Sequence, residues 1–281
     1  MKSVGIVVKR GKPEAGQLAR ELVARFPEVR FLTETATAQE LELTEADPGR
    51  LFGEQVELLV VLGGDGTLIH GARLLRGAPV PILGINLGRL GFLTEHTEQA
   101  AFSALEGALA GKLQIDSRLK LSVRLVRDGN VVVEDEVLND VVLNKGALAR
   151  IADHVLLVDD EQVTTYKADG VIIATPTGST AYSLSAGGPI VHPELDCILI
   201  SPICSHALTQ RPLVIAPSRK IGILLTGEVA DVYLTIDGQV GHALEKGDRI
   251  EVFQSPRRVY LVRNPELSWF GVMRQKLHWG Q

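Results

Sequence analysis

Three glycines surround one carboxylate at the end of an apolar run. Gly63-Gly64-Asp65-Gly66 directly follows the apolar residues 58–62, and Thr67 comes next. Glycines let a backbone approach a phosphate closely, and the amides at a helix start attract an anion. A carboxylate in such a place can accept a proton from an attacking hydroxyl or hold Mg²⁺. A tight turn in which Asp65 caps the following helix is an equally good interpretation of this motif alone.

A second group of small polar residues lies in the stretch ADGVIIATPTGSTAYSLS, residues 168–185. The pattern predicts a carboxylate at Asp169, then a strand, a turn around Pro176, and a short helix rich in hydroxyls. Free amides, hydroxyls and the ring of Tyr182 suit a sugar-phosphate and a base. The alternative is a strand, turn and helix whose Ser and Thr residues serve only as caps. The density of hydroxyls favours the binding interpretation.

Two polar residues interrupt a third apolar segment. Asn139 and Asp140 separate Leu138 from Val141. An amide beside a carboxylate can bind a base edge and ribose hydroxyls, but such a pair also marks a β-bulge or a hairpin turn. The pair alone favours the turn. A glycine-rich stretch at 84–93 lines a ligand cleft or serves as a linker.

The elements around these residues indicate two domains. Short apolar runs at 4–8, 58–62 and 81–85 alternate with helical patterns, which is typical of a parallel α/β sheet. After about residue 115, short strands rich in Val and Leu are separated by Asp-Gly and Pro turns. We therefore predict an α/β domain with a parallel sheet at 1–95 and a β-rich, β-sandwich-like domain at 96–254.

Composition excludes several classes of protein. The chain has 281 residues, of which 45% are hydrophobic, so it can bury a large core, and its net charge of -5 argues against a nucleic-acid partner. The two cysteines form no CxxC pair and the seven histidines show no paired ligand spacing, which disfavours a zinc site. No apolar run is long enough to span a bilayer, and the N-terminus has no signal-peptide pattern. We expect a cytoplasmic protein that binds no membrane.

Together and in this order, these segments resemble the NAD kinase family. The resemblance covers residues 4–239, and its most specific part is the block at 169–189. Asp140 departs from the family pattern, because many members have Glu there. Asp is one methylene shorter, so its ribose contact is expected to be longer or bridged by water. The other matching segments are GGDG at 63–66, GINLGRLGFLT at 84–94, Asn139-Asp140, SPIC at 201–204 leading to Arg211-Pro212, and DGQ at 237–239.

The resemblance implies phosphorylation of NAD at the 2′-hydroxyl of its adenosine ribose, with Asp65 as the general base. It places Gly63, Gly64, Gly66 and Thr67 near the phosphates of the donor, which is ATP or polyphosphate. A divalent cation, Mg²⁺, is expected to be carried by those phosphates and not by a dedicated protein site. The implied NAD-binding residues are Asp65, Gly66, His70, Asn139, Asp140, Arg150, Lys167, Asp169, Thr180, Ala181, Tyr182, Ser183, Leu184, Ser185 and Gln239.

The resemblance also implies that the tail at 255–281 packs back on the first domain and that the chain forms a homodimer or homotetramer. Two other functions stay open. Another kinase with a GGDG turn, such as a lipid kinase or a phosphofructokinase, would share the first motif but not the TPTGSTAY block. A non-catalytic NAD or NADP sensor would not need Asp65.

Overall fold

The computed structural model divides the chain into two compact units, Met1–Ser117 with Arg257–Gln281, and Arg118–Pro256. It describes residues 2–47, 50, 52–146, 152–205, 207, 209–226 and 231–279, without the side chains of residues 36, 40 and 152. The first unit extends further than the predicted 1–95, because the helix Ala101–Leu109 packs Ala101 and Leu105 into its core. No helix within the described residues has the length and apolarity needed to cross a membrane.

Helices and strands alternate at the start of the chain, and strands predominate later. The helices are α1 (Pro13–Arg25), α2 (Thr35–Leu41), α3 (Asp65–Leu74), α4 (Ala101–Leu109), α5 (Tyr182–Ser185) and α6 (Trp269–Leu277). The first strands are β1 (Ser3–Val8), β2 (Arg30–Leu32), β3 (Leu58–Leu62), β4 (Pro81–Asn86), β5 (His96–Thr97), β6 (Ile115–Arg127), β7 (Asn130–Val137) and β8 (Asp140–Lys145). The remaining strands are β9 (Ala152–Val158), β10 (Glu161–Ala168), β11 (Gly170–Ala174), β12 (Ile198–Ile203), β13 (Leu213–Ile215), β14 (Ile221–Thr226), β15 (Val232–Ile236), β16 (Val240–Ala243) and β17 (Arg249–Val262).

The first unit contains a parallel sheet with the order β4-β3-β1-β2, and the last residues of β17 pair with β4. All five residues of β3 are buried, as its continuous apolar sequence predicts. The carboxyl end of β3 leads through Gly63 and Gly64 into α3. Ligands of parallel α/β sheets bind at this end of the strands, so the fold places the GGDG turn at a ligand-binding edge.

The second unit contains two antiparallel sheets. One has the order β13-β12-β11-β8-β15-β16, and the other contains β10-β9-β14 with the first residues of β17. Successive residues of β11 face opposite sides. Val171 and Ile173 lie in a core cluster with Leu156, whereas Ile172 lies in a second cluster with Leu199. The predicted fold class, an α/β domain with a β-sandwich-like domain, is therefore confirmed.

Candidate active site

The Asp65 carboxylate is held by four hydrogen-bond donors from one short segment. Oδ2 accepts the backbone N–H of Phe92 at 2.8 Å. Oδ1 accepts the N–H groups of Leu93 and Thr94 and the Thr94 hydroxyl, each at 3.1 Å. Asp65 is the first residue of α3, and its side chain is half-buried. The carboxylate is thus fixed by residues 92–94.

A buried amide supports this arrangement. Asn86 Nδ2 donates to Thr94 Oγ1 at 2.8 Å, and Asn86 Oδ1 accepts the N–H of Gly88 at 2.7 Å. A threonine hydroxyl has one proton, so accepting from Asn86 leaves that proton for Asp65. Asn86 and Thr94 are both buried. The sequence placed both residues in the glycine-rich segment at 84–94 but did not link either one to Asp65, because no local pattern connects them.

The glycines around Asp65 serve two different purposes. A Cβ at Gly91 would lie 2.0 Å from Asp65 Oδ1, and a Cβ at Gly63 would lie 2.5 Å from Thr67 Oγ1. These two positions therefore exclude a side chain. A Cβ at Gly64 or Gly66, in contrast, would meet no atom within 4 Å. The backbone there is open, which suits the close approach of a phosphate.

In the second unit, Asp237 holds the residues that lead into β8. Its Oδ1 accepts the N–H groups of Asn139 at 2.7 Å and Asp140 at 3.1 Å, and its Oδ2 accepts that of Leu138 at 3.0 Å. Asp237 and Gly238 both have positive φ, 49° and 65°, and are the two central residues of a turn in which the Gln239 N–H donates to the Ile236 carbonyl at 2.9 Å. Asn139 and Asp140 therefore have fixed backbones.

Asn139 and Asp140 present unusual polar groups. Asn139 Oδ1 is buried and has no hydrogen-bond partner among the described residues. Burial raises the pKa of Asp140 to about 7, and the neighbouring Asp237 carboxylate contributes in the same direction. Three backbone N–H groups donate to the Asp237 carboxylate. The Asn139 oxygen, an acceptor without a partner among the described residues, thus neighbours the Asp140 carboxyl group, which can also donate a hydrogen bond when it is protonated below about pH 7.

The Thr-Pro-Thr-Gly turn packs directly on this pair. Thr175 donates its N–H to the Asn139 carbonyl at 2.9 Å and its hydroxyl to the Leu138 carbonyl at 2.6 Å. A Cβ at Gly178 would lie only 2.1 Å from the Asn139 carbonyl oxygen. The structure therefore brings the second and third sequence motifs together.

Some hydroxyls of the second motif are used inside the protein. The Ser179 hydroxyl bonds with the backbone of Val191 at 3.1–3.2 Å, and Ser183 Oγ lies 3.1 Å from Ser201 Oγ. Ser179 and Ser183 are fully buried. Tyr182 and Ser185 are exposed, while Thr180, Ala181 and Leu184 are half-buried. Part of the hydroxyl density in this block is therefore structural.

The other predicted contact residues have the following partners and exposures. Lys145 Nζ lies 3.5 Å from Asp169 Oδ1, and His70 Nε2 lies 3.4 Å from Glu34 Oε1. Lys167 and Gln239 are exposed. Arg150 lies outside the described residues.

Comparison with known proteins gives a consistent result over the whole chain. The family model of the ATP-NAD kinase N-terminal domain matches residues 4–113, and that of the ATP-NAD kinase C-terminal domain matches residues 138–264. The curated NAD kinases of Geobacter metallireducens and Geobacter sulfurreducens are 47% and 46% identical to this chain, and each alignment covers 100% of both proteins.

Two solved structures share the fold. Yeast NADH kinase complexed with NADH has a TM-score of 0.91 and 30% identity, with 100% of this chain and 89% of that chain covered. An NAD kinase from Archaeoglobus fulgidus in complex with ATP has a TM-score of 0.75 and 26% identity, with 97% of this chain and 99% of that chain covered. The chain belongs to the ATP-NAD kinase family and is a kinase that acts on NAD.

Proposed function

We propose that the chain transfers the terminal phosphoryl group of ATP or polyphosphate to the 2′-hydroxyl of the adenosine ribose of NAD, with Asp65 as the general base. The observation that carries this proposal is the Asp65 carboxylate, which four donors fix beside an open glycine turn. A carboxylate has about four lone-pair positions, two on each oxygen. Oδ1 already accepts three bonds and Oδ2 accepts one, so Oδ2 has room for a substrate hydroxyl.

The reaction then needs little covalent work from the protein. Asp65 Oδ2 takes the proton of the 2′-hydroxyl as the ribose oxygen attacks the terminal phosphorus in line. The bond between that phosphorus and the bridging oxygen breaks, and the shortened donor leaves. Positioning and charge stabilisation supply most of the acceleration in reactions of this class.

NAD recognition is proposed for the pair that follows β7. Asn139 Oδ1, which lacks a partner among the described residues, can accept the adenine amino group. Asp140 is proposed to bind ribose hydroxyls, and its raised pKa of about 7 lets it donate as well as accept near neutral pH. The further NAD contacts proposed from the family resemblance are His70, Arg150, Lys167, Asp169, the residues 180–185 and Gln239.

The donor phosphates are proposed to lie against the open backbone at Gly64 and Gly66, with Gly63 and Thr67 beside them. Among the described residues, no group of three or more His, Cys, Asp or Glu side chains could hold a metal ion. From the family resemblance, a Mg²⁺ ion is proposed to arrive with the donor phosphates as part of the substrate. Bound in that way, the ion neutralises charge on the phosphate oxygens.

A coupled assay for NADP formation tests the proposal, run with ATP and with polyphosphate, each with and without Mg²⁺. Asp65→Asn should lower turnover by about a hundred- to ten-thousand-fold while calorimetry still shows NAD binding. Asp128→Asn, on an exposed hairpin turn, is the matched control and should keep full turnover. Wild-type turnover of Asp65→Asn would refute the role of Asp65. NAD binding without any NADP formation would indicate a sensor, and phosphorylation of a lipid instead of NAD would indicate the other kinase class.

The assembly is proposed from the family resemblance alone. A homodimer or homotetramer should show two or four times the mass of one chain, 30.4 kDa, in light scattering. A single-chain mass at micromolar concentration would contradict that proposal without affecting the role of Asp65.

A further inference from the structure

The segment that holds Asp65 is itself bonded to the C-terminal part of the first unit. Glu95 directly follows Thr94 and is buried. Its Oε2 accepts the backbone N–H of Asn264 at 2.9 Å, and its carbonyl oxygen lies 3.4 Å from Asn264 Nδ2. Arg263 Nε lies 3.9 Å from the same Oε2. A buried carboxylate thus connects the end of the Asp65-binding segment to the residues that follow β17.

A second contact involves α6. Lys276 Nζ lies 5.7 Å from the ring centroid of Phe92, within the range of a cation–π interaction. Phe92 supplies the N–H that Asp65 Oδ2 accepts. The helix is anchored independently, because Val272 and Met273 are buried and the Ser268 hydroxyl caps its first turn by accepting the Gly271 N–H. Two contacts from the C-terminal segment therefore reach residues 92 and 95, on either side of Leu93 and Thr94.

The segment needs such support because its other end is a glycine. Gly91 cannot carry a Cβ beside Asp65, so its backbone has the freedom that a side chain would restrict. The donors to Asp65 are mostly backbone N–H groups, whose directions change whenever residues 92–94 move. Misplacement of a reacting group by about 1 Å can cost on the order of a hundredfold in rate.

We propose that Glu95 and Lys276 are positioning residues for phosphoryl transfer. They fix residues 92–95 against the C-terminal segment, so that the amides of Phe92, Leu93 and Thr94 keep Asp65 oriented. This inference rests on the proposed role of Asp65 as the general base. Neither residue needs to touch NAD or the phosphate donor, and their effect should therefore appear in kcat and not in the KM for NAD.

The test measures kcat and KM for NAD in single variants. Glu95→Ala removes the acceptor of the Asn264 N–H and should lower kcat roughly tenfold, the scale of one hydrogen bond to a charged group, with KM nearly unchanged. Glu95→Gln keeps an acceptor oxygen and should recover most of kcat. Lys276→Met keeps the chain length without the charge and should lower kcat about threefold. Glu98→Ala, at an exposed position that directly follows β5, is the matched control and should match the wild type.

A double variant separates this inference from the proposed function. Because Glu95 acts through Asp65, adding Glu95→Ala to Asp65→Asn should cause no further loss of kcat. If Asp65→Asn loses turnover but Glu95→Ala does not, or if the two losses multiply, the positioning inference is wrong and the role of Asp65 stands. If Asp65→Asn keeps its turnover, both fail. If Glu95→Ala does not fold, the kcat of Lys276→Met provides the test instead, because Lys276 is only half-buried. An unchanged kcat in that variant would overturn the inference.

Discussion

His154 in β9 links the stability of the second unit to pH. Its side chain is fully buried, and neither ring nitrogen has a hydrogen-bond partner of normal geometry among the described residues. Burial lowers the pKa of His154 from 6.5 to about 4, although the Asp153 carboxylate and the Ala168 backbone favour the charged form. The native protein therefore keeps this imidazole neutral at pH values where the unfolded chain protonates it.

The sign and size of the effect follow from proton binding. Between about pH 4 and 6.5 the unfolded state binds more protons at His154, so this residue makes the protein less stable as the pH falls. The full difference of about 2.5 in pKa corresponds to about 3 kcal/mol, of which about 2 kcal/mol is lost by pH 5.

Asp140 acts in the opposite direction. Its pKa is raised to about 7 from 3.8, so the native state binds the extra proton between these values. That contribution to stability is complete below about pH 3.8 and is lost as the pH rises through about 7. The two residues oppose each other over much of the range, so the wild type alone cannot show the effect of His154.

The perturbation is His154→Leu, and the assay is urea unfolding followed by circular dichroism at pH 7.5 and pH 5.0. For each protein, the free energy of unfolding at pH 5.0 is compared with that at pH 7.5. On going from pH 7.5 to pH 5.0, the wild type should lose about 2 kcal/mol more free energy of unfolding than the variant does. His242→Leu, at a half-buried position of β16, is the matched control and should keep the wild-type difference. An equal pH difference in His154→Leu and the wild type would refute the reasoning.

Three further substitutions test the packing described above. Gly91→Ala places a methyl group 2.0 Å from Asp65 Oδ1, and steady-state assays should show kcat reduced by about a hundredfold or more. Gly178→Ala forces the turn away from the Asn139 carbonyl, and titration calorimetry should show NAD affinity lowered by about tenfold or more. Lys120 Nζ lies 2.8 Å from the largely buried Glu136 carboxylate, and Lys120→Met removes this cation. Urea unfolding should therefore show the free energy of unfolding lowered by about 3 kcal/mol. A wild-type value in any of these measurements would contradict the corresponding contact.

Elements governed by local sequence were predictable. The apolar run at 58–62 became β3 over the same residues, because every one of its side chains is buried. The Asp-Gly turn at 128–129 has the positive φ values of 49° and 79° that such a hairpin turn requires. The helix that follows the glycine turn begins at Asp65 itself, because Gly64 has the extended conformation of an N-cap.

The partners of the key carboxylates were not predictable. Asp65 binds residues 27 to 29 positions along the chain, and Asp237 binds residues 97 to 99 positions away. No local pattern encodes such pairings, because they depend on which strand ends the fold brings together. The hydroxyls of Ser179 and Ser183 show the converse. The density of hydroxyls suggested binding, but local sequence could not show that these two hydroxyls are also buried and have partners within the protein.

The most direct test of the central claim is a crystal structure of the chain with bound NAD. The role proposed for Asp65 requires the 2′-oxygen of the adenosine ribose to lie within hydrogen-bond reach of Asp65 Oδ2, at about 2.6–3.2 Å. Residues 92–94 should keep their bonds to the same carboxylate. A bound dinucleotide whose 2′-hydroxyl lies out of reach of Asp65, with another group accepting from it, would contradict the account.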